Sequence, residues 1–164
     1  MTRIGVLGDT HGNIKLAEQA LKSLGQIDLV LHTGDYYRDG KRLSQLLGIE
    51  VIGVLGNCDI MTSGPKEQTL AFEGKRIYLT HGHLYGAKSS FLNLFYRGKE
   101  VGANLVIYGH THVAVQETVE DMIILNPGSL TKPRNRKPTY GLVTIDGEKI
   151  RTEILELPLS GCLF

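Results

Sequence analysis

Apolar residues in this chain come in short runs, and five of the runs end where Asp, Asn or His stands next to glycine. Residues 3–9 (RIGVLGD), 28–35 (DLVLHTGD) and 50–59 (EVIGVLGNCD) all have this form, which predicts buried strands opening into loops. Between the first two, residues 13–25 (NIKLAEQALKSLG) have helical spacing. Asn13 is the predicted cap, Leu16, Ala17, Ala20, Leu21 and Leu24 form the apolar face, and Gly25 is the stop. Residues 39–48 (DGKRLSQLLG) predict a shorter helix. The order β-α-β-α-β implies parallel strands joined by right-handed crossovers.

The second half is patterned differently. Residues 68–83 predict a hairpin turning at Glu73-Gly74-Lys75. Residues 86–103 predict a helix with Phe91, Leu94, Phe95 and Val101 inward. Another buried strand follows at 104–112 (NLVIYGHTH), then hairpins at 113–130, turning at Glu120-Asp121, and at 139–155, turning at Asp146-Gly147. The expectation is a single α/β domain, residues 1–164, with two sheets.

Length and composition fit that expectation. A chain of 164 residues buries a real core without disulfide staples. A net charge of +1 gives no global reason to bind nucleic acid or an acidic membrane. The two cysteines, Cys58 and Cys162, make no disulfide framework. No apolar run approaches the roughly 20 residues of a membrane span, and the N-terminal apolar run is short for a signal segment. The expected setting is the cytoplasm.

The strand ends carry the chemistry. They read GDTH (8–11), GD (34–35), GN (56–57), THGH (80–83) and GHTH (109–112). In a parallel α/β sheet the carboxyl ends of strands share one edge, where ligands bind. Asp9, His11, Asp35, Asn57, His81, His110 and His112 are therefore expected to converge. Such donors are costly to bury together unless a cation satisfies them. Seven donors exceed a tetrahedral zinc site but fit two divalent ions about 3.5–4 Å apart that share a carboxylate such as Asp35. Imidazole and carboxylate without thiolate suit Mn, Fe, Zn or Ni better than Ca or Mg. His32, inside its strand, reads instead as a histidine hydrogen-bonded in the core. Cys58 has no feature that would activate it as a nucleophile. Thr10 and Thr111 are expected to satisfy loop backbone groups.

Asp-x-His, Gly-Asp, Gly-Asn-x-Asp, His and Gly-His-x-His, in that order, resemble the calcineurin-like metallophosphoesterases. The short chain with GNCD, THGH and NPGS is most similar to their small bacterial and archaeal phosphodiesterase branch. The resemblance implies a four-layer α/β/β/α sandwich with two mixed sheets. It implies one metal on Asp9, His11, Asp35 and His112, and another on Asp35, Asn57, His81 and His110. The implied activity is that of a metal-dependent phosphoric diester hydrolase, with a metal-activated hydroxide attacking phosphorus in line. Mn2+ is the first expectation, with Ni2+, Zn2+ or Fe as alternatives.

Many relatives have His at the position of Cys58, where it contacts substrate or protonates the leaving oxygen. Here His83 is the candidate for that role, and Asp59 is the residue that orients its neighbour at 58. Asn57, Cys58 and Arg134 are candidate substrate contacts. The loop TKPRNRKP (131–138) is read either as a solvated turn or as bringing Arg134 or Arg136 to the phosphate. NPGS (126–129) is expected to offer backbone amides to the pocket. The apolar tail 157–164 packs either on the domain or on a sister subunit. The implied partners are a small phosphodiester and, as in relatives, further copies in a homodimer or homotetramer. Membrane association and stable nucleic-acid binding are not expected. The alternative reading is a metal-binding interaction scaffold, since a retromer subunit of this fold serves mainly as a platform.

Overall fold

The computed structural model describes residues 1–134 and 137–158. Strand β1 (Thr2–Leu7) leads into α1 (Ile14–Ser23), β2 (Leu29–His32), α2 (Arg38–Leu47) and β3 (Glu50–Gly53). A hairpin of β4 (Glu67–Phe72) and β5 (Lys75–Thr80) follows, then a single 3-10 turn (His83–Tyr85) and α3 (Leu92–Glu100). Strand β6 (Leu105–Ile107) and two hairpins complete the fold: β7 (Ala114–Val119) with β8 (Met122–Pro127), and β9 (Thr139–Asp146) with β10 (Lys149–Glu156).

The strands form two five-stranded sheets, ordered β10-β9-β1-β2-β3 and β4-β5-β6-β8-β7. Strands β1, β2 and β3 are mutually parallel, and so are β5, β6 and β8, while the hairpin partners at the margins are antiparallel. Alternate residues of the central strands enter different cores. Ile4, Val6, Leu31, Ile77, Leu79 and Ile107 pack between the sheets. Leu7 and Val30 pack with Ala17, Ala20, Leu21 and Leu43 of α1 and α2. Tyr78, Val106 and Ile124 pack with Leu94 and Phe95 of α3. Three cores separate four layers, α/β/β/α. Strands covered on both faces read as unbroken apolar runs, which is why the sequence lacks alternation there.

Helix α1 begins as expected, with Asn13 Oδ1 accepting from Leu16 N at 3.2 Å. Several expected elements are shorter. The third strand stops at Gly53: Val54 N still donates to His32 O at 3.3 Å, but Leu55 N bonds to Pro65 O instead of a strand partner. The helix expected over 86–103 begins only at Leu92, after a turn at Gly86 with φ 64°, and Gly102 with φ 66° lies just past its end. The strand expected over 104–112 stops at Ile107. The last hairpin turns on Gly147-Glu148, one residue later than expected, since Asp146 still pairs with Lys149. Of the tail, Leu157 packs in the core of α1 and α2, while residues 159–164, including Cys162, lie outside the described residues. Among the described residues, no helix is long and apolar enough to cross a membrane.

Leu79 is fully buried between the sheets. Leu79→Ala is expected to cost about 2–5 kcal/mol of stability, read as a shift in the urea midpoint at unchanged slope.

Candidate metal centre

The loops after β1, β2, β3, β5 and β6 meet at one end of the sandwich. Their backbones are bent sharply to do so. Asp9, His11, Asp35, His110 and His112 all have positive φ, between 46° and 68°. For L-residues with a Cβ this conformation costs roughly 1–2 kcal/mol each. Close approach matters as well. A Cβ on Gly56 would lie 2.1 Å from Asp35 Oδ1, so only glycine lets the loop after β3 press against that carboxylate.

Asp9, His11, Asp35 and His112 offer ligand atoms that all lie within 4.8 Å of one another. Asp9 is fully buried and Asp35 nearly so. His112 Nδ1 donates to the Lys132 carbonyl at 2.9 Å, so in a neutral ring Nε2 carries a lone pair. That nitrogen lies 2.8 Å from Asp9 Oδ2, and neither Asp9 oxygen accepts a hydrogen bond. His81 repeats the pattern. Its Nδ1 donates to Thr33 O at 2.8 Å, while Nε2 faces Asn57 Oδ1 at 2.9 Å and Asp35 Oδ1 at 3.4 Å. The His110 ring is beside it, with centroids 5.0 Å apart. Acceptors aimed at acceptors in a buried space fit a cation. A ring nitrogen anchored on a backbone carbonyl, with the other left free, is the usual arrangement of a metal-ligating histidine.

The electrostatics follow from the same contacts. Asp9 raises the pKa of His112, because without a cation only a proton relieves their opposition. Burial lowers His110 to about 4, with His81 adding to the effect, and burial lowers His11 as well. Burial opposes ionisation of Asp35, but His81 and the Cys58 amide outweigh it and leave the carboxyl below its usual range.

Several buried polar residues that hold these loops were not legible in the sequence. Asp39, on the first turn of α2, accepts from Thr10 Oγ1 at 2.6 Å and from Gly12 N at 2.8 Å. Thr10 has then spent its proton, so His32 Nε2 donates to Thr10 Oγ1 at 2.9 Å and His32 Nδ1 accepts from Gly34 N at 3.2 Å. This chain of bonds ties the loop bearing Asp9 and His11 to the loop bearing Asp35. Thr10 therefore serves a carboxylate and an imidazole, not loop backbone as expected, and His32 is the core histidine its position implied.

NPGS also acts differently from expectation, through side chains. Asn126 Nδ2 donates to Gly109 O at 2.9 Å, and Ser129 Oγ donates to Asp9 O at 3.3 Å. Thr111 Oγ1 accepts from Asn126 Nδ2 at 3.0 Å and from Val113 N at 3.2 Å. An aspartate in a first helical turn resembles an ordinary terminal residue, and no periodicity marks Asp39 as buried.

The remaining candidates are spread around the centre. Asn57 and Cys58 are exposed on the loop after β3, and Cys58 N donates to Asp35 Oδ1 at 2.9 Å. Burial and the adjacent Asp35 push the Cys58 thiol up, opposite to what a nucleophile needs. Both Asp59 oxygens accept backbone hydrogen bonds, from Tyr37 N at 2.7 Å and Gly56 N at 2.8 Å. Asp59 is thus placed to hold the loop together. The His83 ring lies 5.3 Å from His81 and 6.1 Å from His110, and its Nδ1 is buried without a hydrogen-bond partner. Burial and His81 lower its pKa. Arg134 is exposed, and its backbone N donates to His112 O at 3.2 Å. Arg136 lies outside the described residues.

A sandwich of two mixed sheets that gathers aspartates and histidines at its strand ends into a potential cation site has the metallophosphoesterase fold. The chain belongs to the calcineurin-like phosphoesterase superfamily, whose domain model matches residues 2–148. The probable metallophosphoesterase YsnB of Bacillus subtilis is 32% identical over 146 residues, spanning 87% of this chain and 84% of that one. Phosphodiesterase YfcE of Escherichia coli is 28% identical over 172 residues, 89% of each chain. A conserved Streptococcus pneumoniae protein, described as a predicted phosphoesterase, superposes with a TM-score of 0.82 at 30% identity, over 94% of this chain and 89% of that one. Vps29 of Entamoeba histolytica, solved with Zn2+, shares the fold at a TM-score of 0.75 and 22% identity, over 94% of this chain and 99% of that one.

Asp39→Ala would strand the buried Thr10 hydroxyl and the part-buried Gly12 N–H, and is expected to cost about 1–3 kcal/mol and to weaken Mn2+ binding. Asp39→Asn keeps one acceptor oxygen and is expected to recover part of both, read by urea melts and calorimetric titration.

His112 gives a pH dependence of known sign. Its folded pKa lies above the ordinary 6.5, so in metal-free protein the Asp9–His112 pair stabilises fully below that pH and loses its contribution as pH rises through the folded value. Metal competes with this proton, so Mn2+ affinity rises with pH. The melting-temperature gain from Mn2+ over EDTA is expected to widen from pH 5.5 to 8.5, and to widen less in His112→Gln.

Proposed function

We propose that this protein is a divalent-metal-dependent phosphodiesterase. The observation that carries the reading is the pair of lone-pair nitrogens, His112 Nε2 and His81 Nε2, each directed at carboxylate or amide oxygen around Asp9 and Asp35. Two ions are proposed, one on Asp9, His11, Asp35 and His112, the other on Asp35, Asn57, His81 and His110, with Mn2+ the first choice of metal. When bound, the ions supply positive charge for the phosphate oxygens and lower the pKa of water enough to make it a nucleophile at neutral pH.

The chain's own residues supply position. Lys132 O and Thr33 O hold the two imidazoles, and Cys58 N holds Asp35, so little reorganisation accompanies loading. His83 is assigned to the leaving group. Its ring lies beside His81 and His110, where an N–H would donate to the departing oxygen. Asn57, Cys58 and Arg134 are assigned to substrate contact, and Asp59 to positioning the loop that carries the first two. The preference for diesters draws on the name of the Escherichia coli relative.

The Vps29 likeness supports a second reading, a scaffold with little catalysis, in which the centre would bind metal without turnover.

Hydrolysis of bis(4-nitrophenyl) phosphate with and without Mn2+ separates the two. Wild type with metal is expected to exceed Asp35→Ala and His112→Ala by at least about a hundredfold. Metal binding with rates equal to the variants would leave the scaffold.

A further inference from the structure

Two adjoining cavities open beside the metal centre, and neither supplies a proposed ligand. The nearer, of about 300 Å3, is walled by Tyr36, Arg38, Cys58, Ile60 and Met61. Two of its wall residues touch the centre. The Tyr36 ring stands edge-on to His11 with centroids 5.2 Å apart, and the Cys58 amide holds Asp35. The farther, of about 530 Å3, shares Arg38 and Thr62 with the first and adds Lys41, Ser44 and Ser63.

The near wall is built against ordinary stability. Met61 is 94% exposed, Ile60 78% and Tyr36 45%. Tyr36 and Met61 also have positive φ, 62° and 60°. The bend at Tyr36 adjoins that of Asp35, but Met61 is bent without serving the metal centre. Large apolar side chains held out to solvent on a strained backbone are a binding feature. The far wall is cationic. Neither Arg38 nor Lys41 forms an ion pair among the described residues. The one acidic residue lining either cavity, Asp59, has both oxygens occupied by backbone N–H groups.

We propose that these cavities receive one alcohol arm of the phosphodiester, and that this arm carries a second phosphate. The inference rests on the phosphodiesterase reading and adds the substrate class. The apolar body of the arm lies on Tyr36, Ile60 and Met61. Its phosphate meets the Arg38 guanidinium and the Lys41 ammonium, with Ser44 and Ser63 as hydroxyl donors. A dianion with several acceptor oxygens answers two cations and two hydroxyls, while a neutral arm would leave the cations unanswered. The site thus takes substrates that are esters at one phosphate and bear another phosphate farther along.

The test uses two substrate pairs with Mn2+: a dinucleoside phosphodiester with and without a terminal phosphate, and a glycerol-linked diester with and without one. Wild type is expected to favour the phosphorylated member of at least one pair by about tenfold in kcat/KM, mainly through KM, and which pair responds identifies the body of the arm. In the Arg38→Gln/Lys41→Gln double variant that ratio is expected to fall toward one. Ile60→Ser/Met61→Ser is expected to raise KM for both members of the responding pair alike. Manganese titration of each variant checks that the centre is intact. If wild type hydrolyses bis(4-nitrophenyl) phosphate but shows no preference in either pair, or if the double variant keeps the preference, the inference is overturned and the phosphodiesterase reading stands. If no diester is hydrolysed, both fall together.

Discussion

Buried acceptors facing buried acceptors are the constraint on which the rest of this structure depends. Two carboxylates and the free nitrogens of several imidazoles share a space from which water is largely excluded, with Asp9 and His81 fully buried and Asp35 nearly so. In an apolar solvent such a group of atoms would fly apart or take up protons. The raised pKa of His112 and the depressed pKa of His110 are two sides of that tension, one imidazole drawn to a proton by Asp9 and the other denied one by burial. A bound cation would remove the conflict. The whole strand-end edge can be understood as a device for holding the conflict in place until a cation arrives.

Holding it has a cost in backbone conformation. Five of the proposed ligands are in left-handed conformations, a total of several kcal/mol at roughly 1–2 kcal/mol each. Against a typical stability of about 5–15 kcal/mol for a domain, such strain persists only where surrounding bonds over-determine it. Those bonds are visible. Asp39, Thr10 and His32 lock the loops after β1 and β2 to each other. Asn126 and Ser129 reach back from the end of β8 to the loops after β6 and β1. Asp59 closes the loop after β3 on itself and on Tyr37. None of these polar groups needs to touch a metal, yet each fixes the direction of a residue proposed to do so.

The same rigidity bears on the neighbouring cavities. Asp59 ties the loop after β3 to Tyr37, so the backbone that carries Ile60 and Met61 is joined to the start of α2, where Arg38 lies.

The order of strands and helices, the apolar runs covered on both faces, the cap at Asn13 and the strand-end placement of Asp9, His11, Asp35, Asn57, His81, His110 and His112 were determined by local sequence. Each depends on residues adjacent in the chain, and periodicity and turn chemistry act at that range. The lengths of β3, α3 and β6 were decided by tertiary structure, because chain that could continue an element leaves it to reach the centre. So were the left-handed bends, the burial of Asp39, the bracing by Asn126 and Ser129, and the meeting of Tyr36 and Arg38 with Ile60 and Met61. Hydrogen bonds across 20 to 120 residues of sequence have no local signature. Pairing of β1 with β2 brings Thr10 to His32 and Asp39, and only the packing of the two sheets against each other brings Ser129 to Asp9.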